Sequence, residues 1–272
     1  MAKVKQLPGR QRIRKAILLV SLLLFPITLY YLSPYIIIAS AAEGIISASW
    51  VVFALLFVSA LFVGRLWCGW LCPAGALQDM ATAVNAAPLK SQRLRWSKWL
   101  IWIPWLSLIA LLAISAGGYR KVDVFHMLDG GLTINQDFWF ITYYIVIGVF
   151  LALPILLGRR AGCHSICWMA PFMILGRRIG ALLRLPALHL AADSDRCIEC
   201  GICTRECPMS LSVQDMVVRG DMTEDDCVLC GNCVDTCPKQ VIQYGFGRRV
   251  AQHKSKGALG SEIPLAGQHP AP

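Results

Sequence analysis

Charge is scarce in this chain. Only 15% of its 272 residues are Asp, Glu, Lys or Arg, and 56% are hydrophobic, with a mean hydropathy of +0.56. That balance excludes an ordinary soluble domain and points to the membrane. Histidine is sparse as well. The five, at 126, 164, 189, 253 and 269, include no pair facing one another mid-span, which argues against a membrane haem b. A P-loop, a dinucleotide-binding glycine fingerprint and a nucleophile elbow are all missing, so the sequence offers no nucleotide or hydrolase chemistry.

Acidic residues are thin everywhere except in one stretch. From Asp193 to Phe246 ten acidic residues face four basic ones, a net of −6, so the remainder carries +16 of the total +10. The basic residues flank apolar runs and form no stripe interleaved with aromatics. They read as topology signals and anionic-lipid contacts, with no nucleic-acid partner.

The apolar runs predict four membrane spans, at about 16–40, 45–63, 99–116 and 138–157, in a four-helix bundle covering residues 16–191. Residues 1–15 read as a basic cytoplasmic N-terminus, 192–246 as a separate module, and 247–272 as a disordered tail. The run from Ala16 is too long for the core of a cleaved signal. The loop from Gly117 to Asp137, with only Arg120 and Lys121 as basic residues, is placed outside, against sixteen Lys/Arg inside. The positive-inside rule thus sets both termini and the module in the cytoplasm. Trp96, Trp99, Trp102 and Trp105 fit interfacial anchors, and AGCHSICWMAPFMILGRRIGALLR an interfacial helix.

What is abundant is cysteine, twelve in all. Eight fall in CIECGICTRECP and CVLCGNCVDTCP, from Cys197 to Pro238. Each copy is C-x2-C-x2-C-x3-C-P, the run by which bacterial-type ferredoxins hold two [4Fe–4S] clusters. Zinc ribbons would need C-x2-C pairs instead of triplets each with its own C-P. The motif implies crossed ligation: Cys197, Cys200, Cys203 and Cys237 for one cluster, and Cys227, Cys230, Cys233 and Cys207 for the other. Gly201 and Gly231 stand where the backbone must turn sharply, and short strands should flank two small helices, each following one C-P. The expected fold is therefore a membrane all-α bundle plus a small α+β ferredoxin domain.

The other four cysteines form two C-x3-C pairs, Cys68/Cys72 and Cys163/Cys167, each after a span ending in Gly-Arg. Residues i and i+4 share a helix face, so each pair presents two sulfurs together. Buried packing residues, a shared metal or cofactor site, and redox-active thiols all fit; His164 reads as a neighbour. A quinol site would need an apolar slot and a base. Asp79 on the inner side, and Asp123, His126 and Asp129 on the outer side, are the candidates.

GRLWCGWLCPAGALQD after the second span, GRRAGCHSICWMAP after the fourth, and the C-terminal two-cluster module resemble the ferredoxin-type membrane quinol dehydrogenase family. That family includes the H component of periplasmic nitrate reductase systems and the N component of methylamine-utilisation systems. The polyferredoxin end of nitrous oxide reductase regulators is similar. The resemblance spans about residues 15–246, with one departure: Cys167 is followed by Trp-Met-Ala before Pro171, where Cys72 meets Pro73 directly. It implies a subunit of the bacterial inner membrane that oxidises quinol and passes electrons to a partner ferredoxin or cytochrome of a respiratory reductase or dehydrogenase. Two other functions fit the residues: an accessory protein reducing a metal or thiol during enzyme maturation, and a membrane redox sensor.

Overall fold

The computed structural model describes residues 8–89, 94–127 and 139–248. Lys90, Arg93, Asp129 and the expected tail beyond residue 248 lie outside them.

The first apolar run is not one helix. Helix α1 spans Gly9–Leu23, α2 is Phe25–Thr28, a 3-10 turn covers Leu29–Leu32, and α3 is Pro34–Ala42. The axis bends by 58° between α1 and the segment Phe25–Leu32. Pro26 and Pro34 cause the breaks, because each lacks an N–H donor and crowds the preceding turn; Ser33 is extended as a residue before proline should be. The run expected to span a membrane over about 16–40 is thus divided into successive short helices. Helix α1 also begins inside the stretch expected to be a basic terminal segment.

A two-residue strand β1 (Ile45–Ile46) leads to α4 (Ala48–Val63), followed by α5 (Leu66–Trp70) and α6 (Pro73–Ala81). At 1.5 Å per residue α4 is about 24 Å long, short of the roughly 30 Å hydrocarbon core. Helix α7 (Leu94–Ser115) and, after β2 (Lys121–Val122), helix α8 (Trp139–Leu157) are long and apolar enough to cross a membrane. The bent α1 pair would make a third such span. Leu100, Ile103, Leu111, Ile114, Ile145 and Leu156 stand exposed on α7 and α8, the expected dress of a face turned to lipid.

After α8 come α9 (Ala161–Ser165) and α10 (Met169–Leu182). Helix α10, within the stretch expected to be an interfacial helix, lies along α4. A Cβ on Gly176 would sit 2.6 Å from the Phe57 carbonyl oxygen, and one on Gly180 2.5 Å from that of Leu61, so only glycine lets the backbones meet this closely. Phe172 of α10 packs edge-on against Phe53, Trp102 and Trp105. Of the four tryptophans expected as interfacial anchors, Trp102 and Trp105 thus join this aromatic cluster, while Trp96 is exposed.

The C-terminal module holds strand β3 (Ala187–Ala192), α11 (Ile202–Arg205), α12 (Val213–Arg219), α13 (Asn232–Thr236) and strand β4 (Ile242–Gly247). The strands pair antiparallel, Ala187 opposite Gly247 and Ala192 opposite Ile242. Only the first C-P leads to a helix, α12. The second runs into β4, and α11 and α13 sit within the cysteine motifs. One apolar core continues from Ala60 and Met173 through Cys68 and Cys163 to Val228 and Cys230. The module is docked on the ends of the helices that lead into the two C-x3-C segments.

Candidate functional site

The two ferredoxin motifs repeat one backbone path. Glu199 and Leu229, Gly201 and Gly231, and Ser210 and Gln240 all take positive φ, at matching places in the two copies. Left-handed residues turn successive N–H groups toward one point, a cradle for anionic groups. The N–H of Leu229 reaches the Cys227 sulfur, and those of Met209 and Leu211 reach Cys207. Such bonds to sulfur help set the potential of an iron–sulfur centre.

The cysteines gather across the motifs. Cys197, Cys200 and Cys203 line one pocket with Cys237; Cys227, Cys230 and Cys233 line another with Cys207. Among the described residues no three His, Cys, Asp or Glu converge tightly enough for a single metal ion. Burial pushes the Cys207 thiol up to about 12 and that of Cys227 to about 11. When bound, iron would hold these groups as thiolates.

Ion pairs seat the module. Asp226, beside Cys227, is 3% exposed and accepts from Arg65 Nη1 at 2.8 Å and Lys98 Nζ at 2.5 Å. Arg95 Nε and His164 Nδ1 lie 3.7 and 3.8 Å away. Burial alone would raise the Asp226 pKa, but His164, Arg65 and Lys98 hold it well below the usual carboxylate range. Burial pushes His164 down, toward the neutral form. Asp225 pairs with Arg177 and Arg178. On the other flank Gln11 donates to the Cys230 carbonyl at 3.1 Å and to Asp235 at 2.6 Å. Trp70 Nε1 donates to the Leu229 carbonyl at 3.1 Å. A Cβ on Gly69 would lie 2.2 Å from the Val228 carbonyl oxygen, so the loop between Cys227 and Cys230 touches the first C-x3-C segment directly.

The two C-x3-C segments have matching geometry. Cys68 and Cys163 are each the third residue of a five-residue helix, α5 and α9. Cys72 accepts the N–H of Gly75, and Cys167 accepts that of Ala170. The missing proline after Cys167 leaves this geometry unchanged. Gln78, on the helix that Cys72 opens, donates to Cys163 Sγ at 3.1 Å and accepts the Cys163 N–H at 3.2 Å. Burial, then the other three thiols of this group, raise the Cys72 pKa well above its ordinary value.

Of the candidate bases, Asp79 is bound to two guanidiniums. Arg160 Nε and Nη2 donate to its two oxygens at 2.7 and 2.8 Å, and Arg14 Nη1 donates at 3.0 Å. Burial opposes the Asp79 charge, but these arginines hold its pKa below the ordinary value. Asp79 is a structural anchor and a poor proton acceptor. Asp123 pairs with Lys121 at 3.1 Å, and His126 lies 3.8 Å from Glu43, both at the β1–β2 end of the bundle.

A further cavity of about 510 Å³ opens at the bend of the first apolar segment. Val20, Leu24, Tyr31, Val52, Trp67 and Leu71 line it, with Ser21, Thr28 and Pro73. Trp67 and Leu71 bracket Cys68, and Pro73 follows Cys72. Trp67 Nε1 is buried without a hydrogen-bond partner.

The module matches a 4Fe-4S dicluster domain over residues 196–242. The chain carries two [4Fe–4S] clusters. Residues 47–90 match a 4Fe-4S binding domain, a stretch that holds only Cys68 and Cys72. An uncharacterized protein of Methanocaldococcus jannaschii is 22% identical over 160 residues, covering 59% of this chain and 58% of that protein. The chain thus aligns with little more than half of this relative. No solved structure matches it significantly. With two apolar helices able to cross a membrane, the chain is an iron–sulfur protein of membrane-associated, electron-transfer type.

Proposed function

We propose that the chain oxidises a membrane quinol at the 510 Å³ cavity and passes its electrons through the two clusters to a redox partner. The observation that carries this is the position of the cavity: its wall at Trp67, Leu71 and Pro73 is the segment whose other side meets the Cys227–Cys230 loop. The volume lies in the range of small-molecule sites, and the lining is apolar with a few polar groups. The Ser21 and Thr28 hydroxyls on its wall already donate to the Leu71 and Leu24 carbonyls, which leaves their oxygens to accept from quinol hydroxyls.

Cys197, Cys200, Cys203 and Cys237 are assigned to one cluster, and Cys227, Cys230, Cys233 and Cys207 to the other. When bound, the clusters supply one-electron capacity, so the two electrons of a quinol leave singly while its two protons go to water. The Cys227 cluster lies on the membrane side. The other lies outward, where Cys200 and Ile198 are exposed, and that end is the one assigned to a partner ferredoxin or cytochrome. The membrane portion is taken as a multi-pass anchor in the bacterial inner membrane, with the module in the cytoplasm, as the charge distribution predicts.

Purified protein in liposomes with menaquinol should develop the EPR signal of reduced [4Fe–4S]. Leu24→Trp, which fills the cavity, should abolish reduction by menaquinol while leaving reduction by dithionite intact. Clusters that dithionite reduces but menaquinol does not would overturn the proposal, as would a Leu24→Trp variant reduced by menaquinol at the wild-type rate.

A further inference from the structure

The two C-x3-C segments are longer repeats than their cysteines suggest. Each begins with a fully buried arginine three residues before the first cysteine: Arg65 before Cys68, Arg160 before Cys163. The pattern R-x2-C-x3-C thus occurs twice, on α5 and α9, and the fold brings the copies face to face. Gln78 of the first copy clasps Cys163 of the second, while Arg160 of the second donates to the Cys68 carbonyl at 3.1 Å.

Packing alone does not account for this place. Free cysteines do serve as small apolar fillers, but a filler has no use for buried cations. Arg65 is 0% exposed, and its Nε and Nη2 have no hydrogen-bond partner. The ionisable groups nearest to it are Cys68, Asp226, Cys167 and Cys163. Buried donors of a charged group left unmatched are costly. Counting neighbours gives the same picture. Arg65 and Lys98 share Asp226, and Arg14 and Arg160 share Asp79, so four buried cations meet two carboxylates. The Cys227 cluster meets part of that excess, with Cys227 near Arg65 and Cys230 near Arg160, whereas four neutral thiols, or two disulfides, in the C-x3-C pairs would add nothing toward meeting it. Four thiolates around a metal centre would offset it.

The spacing of the thiols bears on which centre. A tetrahedral ion with bonds of about 2.3 Å draws its sulfurs to about 3.8 Å from one another, and no such convergence occurs among the described residues. The eight module cysteines share that property, and they hold cubes. Residues 47–90 match a 4Fe-4S binding domain although they contain two cysteines; the fold supplies two more from the second repeat.

We propose that Cys68, Cys72, Cys163 and Cys167 hold a third [4Fe–4S] cluster, between the apolar cavity and the Cys227 cluster, with Arg65 donating toward its sulfurs. This assignment does not depend on quinol being the donor, because it is read from metal content and spectra.

Full-length protein purified anaerobically should contain about twelve iron atoms and as many acid-labile sulfides per chain, against about eight for two clusters alone. The double variant Cys72→Ser/Cys167→Ser should lose about four of each and keep the EPR signals of the module. The converse variant, Cys200→Ser/Cys230→Ser, should retain a four-iron Mössbauer component. Eight irons in wild type, or one zinc per chain that disappears with Cys72→Ser/Cys167→Ser, would overturn the assignment. Should the thiol variants fail to accumulate, the iron count and Mössbauer spectrum of the wild-type chain decide alone.

Discussion

Replacing Asp226 with Asn tests how the ferredoxin module is held. The substitution keeps the shape of the side chain and removes the one negative charge that Arg65 and Lys98 share, at 2.8 and 2.5 Å. Both cations are almost wholly buried, 0% and 3% exposed. Removing one partner of a buried ion pair costs about 3–5 kcal/mol, because the remaining charge stays desolvated. The cost falls on the docked state, since on release both cations regain water. Amide exchange in α13 and its preceding loop should therefore accelerate on the order of 10²–10⁴-fold, read by mass spectrometry in liposomes. Asp215→Asn, an exposed carboxylate of the same module, is the control and should change nothing. Lys98→Met combined with Asp226→Asn should cost less than the sum of the single changes, by about 0.5–3 kcal/mol. An acceleration below tenfold, or one matched by Asp215→Asn, would refute the argument that these charges seat the module.

Asp79→Asn should free α1 from α6, at a cost of about 3 kcal/mol. The pKa of Asp79 is depressed in the fold, so its contribution is complete above its unfolded value of about 3.9 and is lost as pH falls through the lower folded value. Wild type should thus loosen at α1 below about pH 4, and the Asn variant should already be loose at pH 7, both seen as deuterium uptake over residues 10–20. Gly69→Ala should push the module outward at about 1–3 kcal/mol, since its Cβ would meet the Val228 carbonyl at 2.2 Å. Gly148→Ala, with nothing within 4 Å of its Cβ, should be silent in the same exchange assay. Stripping iron with a chelator and oxidant should melt residues 197–238, whose helices have four to seven residues and cannot stand alone. Amides of α7 and α8 should stay protected.

Much of the chemistry was legible from spacing alone. The tandem cysteine motifs announce the clusters, and the glycines at 201 and 231 take the left-handed turns expected of them. The opposition of an acidic module to a basic remainder was also visible, though its meaning was only half read. Arg14, Arg65, Lys98 and Arg177, taken as topology signals or lipid contacts, are in fact buried partners of carboxylates. Arg65 and Asp226 stand 161 residues apart, and no local pattern marks such a pair. Hydropathy likewise overlooked the break in the first apolar run, because averaging over side chains ignores what Pro26 and Pro34 do to backbone hydrogen bonds. Asp79 looked like a base because its two guanidinium partners come from α1 and from the loop after α8. Gln78 had no signal at all: a lone glutamine on an apolar helix face gains its meaning only when Cys163 arrives beside it.

The contact between Gly69 and Val228 makes the module and the first C-x3-C segment mechanically one piece. There is no room for a methyl group between that segment and the loop from Cys227 to Cys230. A displacement of that loop is therefore passed straight to α5, backbone against backbone, with no side chain between to absorb it.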